Sequence, residues 1–137
     1  MKAKSLALLA ATLAAGVAHA DQTVTFNIQL NLTKLDAQVT AVGLQCRVLT
    51  QDKSTVLAQS PSAPLNPQPV GAGGSFSGSM SVPVTVPADK IAQTKAWVCM
   101  SQVRGPNSQW ATFGAANSPA WAQRAPAPGY YYAEGNF

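Results

Sequence analysis

Between Thr23 and Thr33 polar and apolar residues alternate without a break, and this run constrains the fold more than any other stretch of the chain. Val24, Phe26, Ile28, Leu30 and Leu32 fall on one side, with Thr25, Asn27, Gln29 and Asn31 on the other. Successive side chains of a strand point to opposite faces, so a period of two predicts a strand with one buried face. The pattern returns at Phe76, Gly78, Met80, Val82, Val84 and Val86, with Pro83 and Pro87 on the opposite parity. Proline cannot donate to a ladder, which marks this second run as an edge strand.

Shorter runs fill the space between. From Val39 to Leu49, the residues Val42, Leu44, Cys46 and Val48 are predicted to point inward and Gly43, Gln45 and Arg47 outward. Val39 and Ala41 have the other parity, so a bulge or strand start is expected near Ala41. Residues 51–54 read as a turn and Thr55 to Gln59 as a short return strand. Ala88 to Thr94 reads as a turn with room for one helical turn, and Lys95 to Val103 as a strand carrying Trp97 and Cys99. Gly105-Pro106-Asn107 is a strong turn signal, with one more short strand from Gln109 to Phe113. Residues 60–75 hold Pro61, Pro64, Pro67 and Pro69, then Gly71, Gly73 and Gly74, a composition that forbids regular pairing. A surface loop is predicted there, either crossing between sheets or hanging free. Residues 114–137 are rich in Ala, Pro and Gly until Tyr130-Tyr131-Tyr132; they are expected to wrap the domain, add a last strand or stay loose.

The amino terminus addresses the chain for export. Lys2 and Lys4 precede an apolar stretch from Leu6 to Val17, closed by Ala18-His19-Ala20. Positive start, short apolar core and small residues around one variable position are the parts of a cleavable signal peptide. About a dozen apolar residues are too few to span a bilayer, which takes ~20. Residues 1–20 are therefore expected to leave, and the compartment to be the periplasm or the outer surface of a bacterium. Asn31-Leu32-Thr33 matches a glycosylation sequon, which carries little weight beside a leader of bacterial type. An oxidising compartment makes a Cys46–Cys99 disulfide the natural reading, the alternatives being free thiols or an intermolecular bridge.

Strands of this number, about six to seven, with turns between them and one disulfide, fit an all-β fold, an antiparallel β-sandwich. Over most of residues 23–113 the pattern resembles an immunoglobulin-like or fibronectin-like domain. That resemblance implies that Cys46 on the second strand and Cys99 on the penultimate one form a bridge between the two sheets. The chain departs from it at two points: no Trp follows Cys46 at the spacing of such a core Trp, and Trp97 stands where those domains carry a corner Tyr. The expected organisation is a leader at 1–20, a sandwich domain at 21–113 and a C-terminal segment at 114–137.

The residues leave little room for catalysis. His19 is the single histidine and belongs to the leader, so the mature chain has no imidazole for triads, zinc ligation or acid–base work. Asp36, Asp52 and Asp89 stand at turn positions, where Asp is an ordinary turn former. Gly71 to Phe76 lacks both the dinucleotide spacing and the Lys of a phosphate loop. No enzyme, no cofactor and no metal site is expected. Lys34, Arg47, Lys53, Lys90, Lys95, Arg104 and Arg124 are scattered along the chain, which argues against nucleic-acid binding. A terminal Phe137 invites comparison with outer-membrane barrels, but Gly135 and Ala133 interrupt the alternation such a strand needs.

Contact chemistry remains. Trp110, Trp121, Tyr130, Tyr131 and Tyr132 are the candidate partner-binding residues, since exposed aromatic rings anchor protein and sugar partners. Trp97, two residues from a bridging Cys, reads as core. The leading expectation is a non-enzymatic exported domain acting through protein contacts, with an unknown partner or by self-association. A small glycan- or ligand-binding module is the alternative, and a protease-inhibitor-like module using residues 60–75 a third.

Overall fold

A computed structural model describes residues 20–71, 73–123 and 132–137. The strands are β1 (Gln22–Leu32), β2 (Ala41–Leu49), β3 (Val56–Gln59), β4 (Gln68–Pro69), β5 (Phe76–Val86), β6 (Ala96–Arg104), β7 (Trp110–Thr112) and β8 (Tyr132–Asn136). Both long alternating runs are strands. They pair with each other, antiparallel and in unbroken register from Gln22 opposite Val86 to Leu32 opposite Phe76. This two-stranded ribbon packs on a larger antiparallel sheet centred on β2 and β6. The class is the antiparallel sandwich that the alternation predicts.

Among the described residues eight strands replace six or seven, because the outer rows of the large sheet are each broken in two. On one side β3 pairs Arg47–Leu49 of β2, and β4 pairs Ala41–Val42. On the other, β8 pairs Ala96–Met100 of β6, and β7 pairs Gln102–Arg104. Composition hid β4, because Pro69 can hold a strand position at an edge even though it cannot donate there. The long Pro/Gly segment does lead from one sheet to the other, but it is pinned on the way. Within the C-terminal segment, Tyr132–Asn136 is a strand of the sheet.

Between the sheets lies the core. Phe26, Leu30, Met80, Val82, Val84 and Val86 of the ribbon meet Leu44, Cys46, Val48, Trp97 and Cys99 of the large sheet. Phe26 is tilted against Trp97, with ring centroids 5.3 Å apart, and lies 6.3 Å from Phe137. Trp97 is thus a core residue, as its position beside Cys99 predicts. A second cluster at the far end holds Leu32, Leu35, Val39, Val42, Val103, Phe113, Trp121 and Ala122. Buried apolar side chains of this size contribute roughly 1.5–3 kcal/mol each relative to exposure, so these clusters dominate what holds the fold together.

The disulfide is formed, and its place corrects the expectation. Cys46 and Cys99 are bonded, yet they sit directly opposite each other on neighbouring strands of one sheet. They join the central pair β2–β6 and do not bridge the two sheets. Parity alone puts both cysteines in the core but cannot say whether their strands face each other or lie side by side.

Between the strands, the described residues form three short 3-10 turns, at Ala88–Gln93, Pro106–Ser108 and Ala120–Ala122. The first occupies the segment read as a single helical turn. Asp21 reaches it, with its carboxylate accepting from the Ala88 N–H at 3.0 Å.

Candidate functional site

The outward side chains of β2 and β6 do not simply face water. Gln45 is only 6% exposed, Gln102 only 4%, and Arg47 is half-buried. Gly43, Gln45 and Arg47 point away from the core, as their parity predicts, but they lie under other chain segments. Two segments cover them, residues 60–67 between β3 and β4, and residues 113–123 after β7.

Each covering segment is fixed by a contact that the sequence pattern does not advertise. Pro64 is buried directly over Gly43, where a Cβ would collide with the proline ring and would lie 3.4 Å from the Trp110 indole. Glycine at 43 thus lets the loop lie flat on the sheet. Ser60 continues the β3 side, its N–H donating to the Cys46 carbonyl at 2.9 Å while its Oγ accepts from the Cys46 N–H at 2.9 Å. On the opposite flank the Phe113 N–H donates to the Ser101 carbonyl at 2.9 Å, and the Gly114 N–H to that of Ala122 at 2.8 Å. The Ser118 hydroxyl donates to the Thr112 carbonyl at 2.6 Å.

Between the two segments runs an open groove of about 600 Å³, floored by Gln45, Arg47 and Gln102 and walled by Gln59, Ser62, Trp110, Thr112 and Ser118. The Gln102 amide and the Thr112 hydroxyl are within hydrogen-bond distance, at 3.1 Å. Arg104 lies over the Trp110 ring at 5.7 Å from the centroid, and its Nε donates to Thr40 Oγ1 at 3.3 Å. The Nε of Arg47 is buried and meets no acceptor among the described residues. A site of this size accommodates a small molecule, and its lining is amide- and hydroxyl-rich with one aromatic wall.

The aromatic candidates are not brought together into one platform. Trp110 stands half-buried at the groove wall. Trp121, 9% exposed, packs into the second core cluster, its ring so close to Gly105 that a Cβ there would lie 2.6 Å from it. Tyr132 begins β8 opposite Met100, while Tyr130 and Tyr131 lie outside the described residues. Sequence reasoning did not single out Gln45, Arg47, Gln59, Gln102 or Thr112. Their one signal is the outward parity of Gly43, Gln45 and Arg47 on a central strand, opposite Gln102, Met100 and Val98.

Elsewhere the polar chemistry is local. Asp52 accepts from Thr50 Oγ1 at 2.6 Å and from the N–H and hydroxyl of Ser54, which holds its carboxyl below the usual carboxylate range. Among the described residues no three His, Cys, Asp or Glu side chains gather as metal ligands, and no helix is long and apolar enough to cross a membrane. No protein-family model matches the chain, and neither a curated protein nor a solved structure matches it.

Proposed function

We propose that the protein is a non-enzymatic, exported binding domain that acts through protein contacts, as a periplasmic or cell-surface subunit that accepts a partner strand along β1. Export rests on the leader at residues 1–20 and agrees with the Cys46–Cys99 bond, since such bonds persist in oxidising compartments.

The free edge of β1 carries the reading. Among the described residues β1 pairs only with β5, so its far side offers an open ladder from Gln22 to Leu30. Pro83 fixes which groups face outward. It stands opposite Thr25 and has no N–H, so that pair is not one that exchanges ladder bonds. By alternation, the outward main-chain groups that the open stretch offers belong to Thr23, Thr25, Asn27 and Gln29 on β1, and to the Pro83 parity on β5. The β5 edge is thus blunted by a proline, while β1 carries neither proline nor charge. Unguarded edges of this kind template strand addition.

Affinity purification of the tagged protein from its native envelope, with mass spectrometry and sizing, tests this. A defined partner or a self-assembled ladder that disappears with Thr25→Lys, while melting is unchanged, is the expected result. A monomer with no companion, or a partner indifferent to Thr25→Lys and Asn27→Pro alike, overturns it.

A further inference from the structure

We infer that the groove on the outer face of the large sheet binds an acidic saccharide, a sugar ring carrying a carboxylate, with Arg47 taking the carboxylate. This goes beyond the edge reading, because the groove lies on the outer face of the other sheet.

Three observations converge on that chemistry. The first is charge. Among the described residues that line the groove there is no Asp or Glu, and Arg47 is the cation on its floor. Glu134 shares the row of Arg47 across β6, through Val98, but is paired with Lys53 at 3.0 Å. The guanidinium therefore has no carboxylate partner among the described residues, and its Nε has no acceptor. A planar donor fork held half-buried without a counter-ion is complementary to a carboxylate.

The second is hydroxyl-reading capacity. Gln45 and Gln59 bring amides that both donate and accept, which is what neighbouring sugar hydroxyls require, while the Gln102 amide is bonded to Thr112 beside them. The third is the Trp110 wall. Arg104 lies over one side of its ring at 5.7 Å, and the half-buried indole presents an apolar surface at the groove wall for a sugar ring. A groove of about 600 Å³ suits a mono- or disaccharide.

Isothermal titration calorimetry of the full mature chain with digalacturonate and with its neutral methyl ester decides the matter. Digalacturonate is expected to bind at least about tenfold more tightly than the ester, as a charge-assisted hydrogen bond requires. Arg47→Gln should erase that preference, Arg47→Lys should keep only part of it, and Trp110→Ala should weaken both sugars. Thr25→Lys should leave sugar binding unchanged, which separates this site from the β1 edge. A melting curve on each variant verifies the fold, and Arg47→Lys, which keeps the charge, serves if Arg47→Gln does not fold. Equal binding of acid and ester, no heat with either sugar at millimolar concentration, or an oligoglutamate peptide that binds as tightly as the uronate overturns the inference.

Discussion

Gly43 shows how one missing side chain shapes a surface. The ring of Pro64 occupies the space a Cβ would need, and both partners there are stiff, a sheet backbone on one side and a proline on the other. Gly43→Ala should therefore lift residues 60–67 off the sheet and destabilise the protein by about 1–3 kcal/mol, as overpacking does. Urea denaturation of the variant measures that loss, and an unchanged midpoint would mean the loop already floats free. At Asp52 the relevant variable is pH. Its carboxyl accepts hydrogen bonds from Thr50 and Ser54 in the folded chain, so its folded pKa lies below the unfolded one. The resulting stabilisation is present above the unfolded pKa and is lost as pH falls through the folded pKa. Carbon-detected NMR should find the Asp52 midpoint below that of an ordinary carboxylate, and Thr50→Val should raise it.

At the scale of the element, what could be read from the chain was parity, and what could not was cover. The runs at 23–33 and 76–86 announce both ribbon strands because each has one wet face, and alternation records the difference between wet and dry. β2 records it too, but incompletely. Val42, Leu44, Cys46 and Val48 are inward as predicted, whereas Gln45 and Arg47 look outward by pattern and are covered by segments far away in sequence. Nothing local in a strand reports a loop lying across it. The same limit hid β4, whose two residues pair only because β2 is already in place, and placed Trp121 among candidates for contact when its ring fills space beside Gly105. Trp110 was picked out by residue type alone. The company that makes it interesting, Gln102, Thr112 and Arg104, comes from the register of β6 with β7.

For the whole molecule, the disulfide is the main covalent constraint, and its placement determines what its loss would do. Cys46 and Cys99 are 53 residues apart in sequence and face each other across the two central strands of the larger sheet. Closing a loop of that length stabilises the native state by roughly 4 kcal/mol through the unfolded chain. The Cys46→Ala/Cys99→Ala double variant should lose stability of that order in chemical denaturation. Far-UV circular dichroism at low temperature should still report β structure, because the ladder between β2 and β6 does not depend on the bond. A variant as stable as the parent would show that the cross-link contributes nothing beyond the pairing.

The broken outer rows have a consequence for how such a protein can diversify. Residues 60–67 and 113–123 leave the sheet only at the gaps between β3 and β4 and between β7 and β8, so neither belongs to the stapled central pair. Insertions or exchanges in these two segments can change what the groove recognises while the disulfide-linked strands and the ribbon beneath keep their sequence. The domain is in this sense a handle with a replaceable grip, and a library randomised at residues 62–63 and 116–117 is the natural place to seek new specificities on an unaltered frame.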